Sequence, residues 1–239
     1  NAIRVLQEMG NTTAFGDTYA NISNSYIRLE MYDKALLYAD SAFKYFKLIN
    51  KQLGMANIYN NYGLLAVEKK EYAKAIDYYS RSLKIKEQLN EKAGQATALT
   101  NMGTVYSDLK NYKKALEYYK RSEKISVEIK DPKGIATARV NMVQLKGLQK
   151  DSTGIADAKK TFDYAKKNSA LEEQKGTALA LSHNYRVNKD FENALVYHKI
   201  YDSLNNLTIN ELMIKQIAML ETRFQTGQKQ QRIALLSKQ

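Results

Sequence analysis

The 239-residue chain has no cysteine, no tryptophan, a single proline (Pro132), eleven glycines and two histidines. The missing cysteine excludes a disulfide framework and a thiolate metal site. So little proline and glycine argues against a sheet protein, which needs a turn about every ten residues. No stretch reaches the roughly 18 uninterrupted apolar residues that a membrane span requires. Also absent are the phosphate-cradling G-x-x-x-x-G-K-S/T, the dinucleotide pattern G-x-G-x-x-G and the nucleophile pattern G-x-S-x-G. His183 and His198 are not spaced as metal ligands on one helical face, and the carboxylates are scattered among lysines in the i to i+4 relations of exposed helices. With no converging acid, base or nucleophile, neither an enzyme nor a cofactor is expected.

Hydrophobic residues make up 44% of the chain, enough for a packed interior, and the abundance of Ala, Leu, Lys, Glu and Tyr predicts an all-α protein. The formal charge of +12 raises the question of a nucleic-acid or membrane-surface partner. The lysines are dispersed, however: Lys69-Lys70, Lys113-Lys114, Lys159-Lys160 and Lys166-Lys167 are interleaved with Glu and Asp. That pattern predicts a solvated outer face, and no nucleic-acid partner is expected of these residues. The chain opens on Asn1 without a methionine, so it is expected to be a segment of a longer protein, with any signal peptide or membrane span outside it.

The dominant feature is internal repetition. "EYAKAIDYYSRSLKIKEQ" (71–88) returns forty residues later as "NYKKALEYYKRSEKISVE" (111–128), with half of the eighteen aligned positions identical. Gly54, Gly94 and Gly134 keep the same interval, and Gly176 follows. A fixed period of this length predicts a stack of similar units. Within 94–132, apolar residues at Leu99, Met102, Val105 and Tyr106, then at Tyr112, Ala115, Leu116, Tyr119 and Ile125, give one buried stripe on each of two helices. "LKN" (109–111) is expected to be the break between them, and Asp131-Pro132 to close the second.

These residues resemble the tetratricopeptide repeat, whose pattern W-x2-L-G-x2-Y then A-x3-F runs over two helices. The match is Leu99, Met102-Gly103, Tyr106, Ala115 and Tyr119 in one unit and Tyr59, Tyr62-Gly63, Ala66, Ala75 and Tyr79 in the unit before it. Tyr19, Ile22-Ser23, Tyr26 and Ala35 fit at the front, and Leu181-Ser182, Tyr185 and Ala194 at the back. The fourth unit fits least well, with Arg139, Val143 and Lys146 at core positions. The resemblance implies a right-handed α-α superhelix of antiparallel helix pairs, with five units at about 14–53, 54–93, 94–133, 134–173 and 174–204. Residues 1–13 read as the end of a preceding repeat helix. His198 takes the repeat's aromatic core place, so a packed or hydrogen-bonded role is expected there.

A repeat of this family implies a binding module for a protein or an extended peptide. Asn21, Asn61, Asn101 and Asn141 recur at intervals of forty, each at the place that faces the concave surface in the family. Their amides can donate to and accept from the main chain of an extended guest. The expected lining is completed by Asn24, Asn57, Asn60, Thr97, Thr100, Thr104, Gln144 and His183, mostly neutral groups. Asparagine at this place can equally bond one repeat to the next, and the two roles are compatible. Charged groups suited to a partner's terminal carboxylate are not evident.

In the tail, Thr208 and Glu211 have capping-box spacing, and Met213, Ile217, Leu220 and Phe224 form a stripe. A C-terminal capping helix is expected within 205–239, continuing as a possible coiled-coil linker through which the chain could homodimerise. "YDSL" (201–204), "KQIAMLETRFQT" (215–226) and "KQQRIALL" (229–236) resemble the junction of bacterial regulators in which a tetratricopeptide array precedes a transmembrane helix and a histidine kinase or LuxR-type output domain. That resemblance implies a sensor region, periplasmic and attached to the inner membrane through a segment outside this chain. A structural scaffold and a cytoplasmic peptide-responsive regulator are the alternatives.

Overall fold

A computed structural model describes residues 12–149, 151 and 153–207. The regular elements among them are α-helices: α1 (Thr12–Arg28), α2 (Tyr32–Leu48), α3 (Gln52–Glu68), α4 (Tyr72–Gln88), α5 (Lys92–Asp108), α6 (Tyr112–Glu128), α7 (Pro132–Leu148), α8 (Gly154–Lys167) and α9 (Leu171–Val187). Residues 191–207 are helical as well. The capping helix and linker expected after residue 207, and the repeat end expected at 1–13 up to residue 11, lie outside the described residues.

The forty-residue beat is twice a beat of twenty: a 17-residue helix followed by a three-residue turn. Each three-residue turn holds one left-handed residue, and none of these is glycine: Glu30, Asn50, Lys70, Asn90, Lys110, Lys130, Ser169 and Lys189 have φ between 51° and 62°. Helix-end hydrogen bonds hold that conformation. After α3, for example, Lys70 N–H donates to Val67 O and Glu71 N–H to Ala66 O, both at 2.8 Å. The break expected at 109–111 is one of these turns. Pro132 differs from its expected role, because α6 has already ended at Glu128 and Pro132 opens α7. At a first helical position its missing N–H has no intrahelical partner to lose.

The described residues form two compact units, divided between Leu145 and Lys146. In the first, α1 packs on α2, α3 on α4 and α5 on α6 as hairpins; α2 and α4 then pack on the α3 and α5 that follow them, and α1 meets α3 as α3 meets α5. In the second, α8 packs on α9. The hairpins close by matching a small residue to a large one. A Cβ on Gly103 would stand 2.6 Å from Tyr119 Cε1, and Gly63 meets the ring of Tyr79 in the same way. In the first hairpin Ser23 takes the register place of Gly63 and Gly103, and its Oγ donates to Ala35 O at 2.9 Å. Ser82 and Ser122, forty residues apart, donate to Ala56 O and Ala96 O at 2.8 and 2.9 Å. Each of these bonds satisfies a buried hydroxyl and ties a hairpin's two helices together.

Candidate functional site

On α3, residues 57, 60, 61 and 64 follow the i, i+3, i+4, i+7 spacing of one helical face. Asn57, Asn60, Asn61 and Leu64 therefore look out together over a groove of about 590 Å³, whose other walls are Asn24, Ile27 and Arg28 of α1, Leu53, and Thr97 with the start of α5. A smaller hollow of about 220 Å³ continues it past Asn21, Asp17 and Lys51. The two share Asn24, Leu53, Asn57 and Asn61. The expected lining residues Asn21, Asn24, Asn57, Asn60, Asn61 and Thr97 thus come together on one surface of the first unit.

The recurring asparagines are not equivalent on that surface. Asn61 is buried at 7% exposure, and its Nδ2 donates to Asn24 Oδ1 at 2.7 Å. Asn101 Nδ2 donates to Asn60 Oδ1 at 2.9 Å. Both bonds cross from one hairpin to the next, so these two amides stitch neighbouring repeats. Asn21 and Asn57 are exposed. Asn24 and Asn60 accept from the stitching amides, which leaves their own N–H groups directed elsewhere.

The other expected lining residues are placed differently. Thr100 Oγ1 lies 2.8 Å from Ser122 Oγ, and Thr104 Oγ1 accepts from Tyr119 Oη at 3.3 Å, so both hydroxyls engage α6. Asn141 is half-buried and Gln144 exposed on α7. His183 belongs to the second unit, exposed beside Arg186, whose Nη2 is 3.2 Å from His183 Nδ1. His198 is exposed too, with Asp202 Oδ2 4.0 Å from its Nε2. The packed role expected for it is therefore not found; the preceding residue, Tyr197, stacks on Tyr185 at 5.6 Å, as Tyr118 does on Tyr106 at 5.3 Å. The charged residues at core positions are ion-paired, Arg139 Nε with Glu123 at 2.6 Å and Lys146 with Asp157, while Val143 is buried. Among the described residues no group of three His, Asp or Glu could hold a metal ion.

Two cations on the groove wall escaped the sequence reading. Arg28 lies exposed at the end of α1, and Lys86 of α4 is 3% exposed. Burial lowers the pKa of Lys86, an effect that Glu91 partly offsets. The signal that could have found it is the repeat register, which puts Lys86 forty residues after Phe46.

Residues 54–126 match the family profile described as Tetratricopeptide repeat. Among solved structures, the fold is similar to aspartyl phosphate phosphatase F from Bacillus subtilis (TM-score 0.58, 16% identity, covering 82% of this chain and 61% of that one). It is also similar to BtubC (BKLC) from P. vanneervenii (TM-score 0.68, 15% identity, 86% and 85% covered). A third is a Rap protein complexed with Competence and Sporulation Factor (TM-score 0.59, 13% identity, 86% and 68% covered). At these identities the likeness is one of fold. The chain spans about three fifths of the length of the phosphatase, the first of these. No curated protein matches the sequence.

Proposed function

Starting from a chain that is a tetratricopeptide-repeat protein, we propose that it is a recognition module holding an extended peptide or protein segment in the groove over α1, α3 and α5. The observation that carries this is the groove's row of exposed amides, Asn21, Asn24 and Asn57, beside the half-buried Asn60. An extended peptide offers one N–H and one C=O per residue with no partner of its own, and an amide side chain satisfies either. Such a lining reads main chain and tolerates varied side chains. A Rap protein of similar fold is known as a complex with Competence and Sporulation Factor, a precedent for a bound partner on this architecture. The deciding experiment compares two double variants against an array of short peptides. Asn21→Ala with Asn57→Ala should weaken binding and leave thermal unfolding unchanged, whereas Asn61→Ala with Asn101→Ala should lower the unfolding temperature. Unchanged binding in the first variant refutes the reading.

The wider role we propose is that of a sensor region in a signalling regulator, periplasmic and joined to the inner membrane through a segment outside this chain. Its support is the resemblance of the tail to regulator junctions; of that stretch Tyr201–Leu204 are described and 215–236 are not. No described helix is long and apolar enough to cross a membrane. Fractionation of cells making the natural protein tests the placement: a periplasm-exposed, membrane-bound species is expected, and recovery from the cytoplasm contradicts it.

A further inference from the structure

α2, α4 and α6 are the second helices of the first three hairpins, and each follows an antiparallel partner, so the three run in the same direction. The forty-residue register shows which of their outward places correspond. One place holds Asp33, Ala73 and Lys113, and another holds Asp40, Ser80 and Lys120. All six residues are exposed. Seven residues make two helical turns, so on each helix the two places share a face. That face passes from acidic on α2, through small and neutral on α4, to basic on α6. The fold itself makes little use of these charges. Asp33, with a side chain 98% exposed, has Lys69 only at 4.0 Å. Asp40 accepts from Tyr62 Oη through Oδ1 at 2.7 Å, which leaves Oδ2 open. Among the described residues Lys113 and Lys120 have neither an ion-pair nor a hydrogen-bond partner. Between the two aspartates Leu37 stands 63% exposed, and at its place on α4 Asp77 is paired with Arg81 at 2.9 Å. The next place on the stripe is lysine throughout, Lys44, Lys84 and Lys124, and it ends the graded stretch.

We infer that this outer face binds a second copy of the chain. A two-fold axis parallel to α4 sets the two α4 helices against each other and each α2 against the other copy's α6. Asp33 and Asp40 then meet Lys113 of the partner subunit and Lys120 of the partner subunit, and the symmetry forms each pairing twice. Ala73 and Ser80 meet their own copies; being small, they let the central helices approach while the longer lysines bridge the flanks. A second copy fits better than an unrelated protein because the gradient is its own complement once turned about its neutral centre. The inference goes beyond the groove reading and does not rest on it, since the groove lies over α1, α3 and α5.

The test is sedimentation of the intact chain at low and high salt. A dimer is expected whose dissociation constant rises with salt, as exposed ion pairs require. Two double variants follow, Asp33→Lys with Asp40→Lys and, separately, Lys113→Asp with Lys120→Asp. Each sets like charges at every pairing and should weaken the dimer about tenfold or more. Mixed one to one, they should recover the wild-type affinity as a heterodimer, because each supplies the charge that the other lacks. Should the first variant lose helical circular dichroism through the bond from Tyr62, the exposed pair Asp33→Lys and Lys113→Asp takes over both experiments. A wild type that stays monomeric at every concentration overturns the inference. A dimer that persists unweakened in either variant overturns it too, by placing the contact elsewhere in the chain. So does a dimer lost in both variants and not recovered on mixing.

Discussion

The junction between the first two hairpins and the junction between the next two share one plan and differ in what fills them. At the first, Phe46 packs against both Gly16 and Gly54, and Lys51 Nζ is paired with Asp17 at 2.7 Å. At the second, the phenylalanine is replaced by Lys86, the lysine by Glu91 and the aspartate by Asn57. The first junction is apolar inside with its charges paired at the rim. The second carries a buried lysine inside, with the Glu91 carboxylate acting on it. A third version, at Ser126, leaves a fully buried hydroxyl without a hydrogen-bond partner against Gly134. From α1 to α7 every helix has 17 residues and every turn three, so the difference between these junctions is one of side-chain chemistry. A repeat fold needs the place filled; it does not need it charged.

That comparison can be broken most severely at the first junction. Phe46→Ala removes a ring that is 2% exposed and should cost about 3–5 kcal/mol in urea unfolding, as large-to-small core changes do. Gly103→Ala, which drives a methyl into the ring of Tyr119, should cost about 1–3 kcal/mol through overpacking. Lys86→Met should move the other way, raising stability at neutral pH by about 1 kcal/mol or more, because a desolvated charge is exchanged for an apolar chain of similar length.

The pH dependence of that last change has a definite sign. The folded-state pKa of Lys86 lies below the ordinary lysine value of 10.5, so just below 10.5 the unfolded chain binds more protons than the folded one. Wild-type stability therefore gains from Lys86 as pH rises toward 10.5, and the advantage of Lys86→Met narrows there. Tyr79 and Tyr119, whose pKa values are raised first by burial, contribute stability that is lost above their ordinary value of 10.0. They are common to both proteins and cancel in the difference. The smallest effect is expected from Asn61→Ala, about 0.5–1.5 kcal/mol for the lost bond to Asn24, seen as a modest fall in unfolding temperature.

The repeat and the helix pairs were legible because they rest on periodicity: Leu99, Met102, Tyr119 and Ala115 recur at spacings that only a helix buries on one side, and all four are buried. The exact helix ends were less legible. The turns use Glu, Asn, Lys and Ser in the left-handed conformation where glycine would have announced them, and a proline that reads as a stop serves as a start. Sequence placed the amides on α1, α3 and α5 but could not say which would be used internally. That depends on the reach from Asn61 to Asn24 and from Asn101 to Asn60, a matter of how hairpins stack rather than of spacing. Thr100 and Thr104, one helical turn apart on α5, bond to α6, because a short hydroxyl finds its partner within its own hairpin. Lys86 was hidden by its type, since a lysine in a basic chain reads as surface until its burial is seen.

The central claim is that the amide-lined face of α1, α3 and α5 receives the partner. It is tested most directly by following backbone and side-chain amide resonances while an array-selected peptide is added. Shifts are expected to concentrate at Asn21, Asn24, Asn57 and Thr97, with α2, α4 and α6 quiet apart from Lys86 and its neighbours. Shifts confined to the exposed faces of α2, α4 and α6 would contradict the claim.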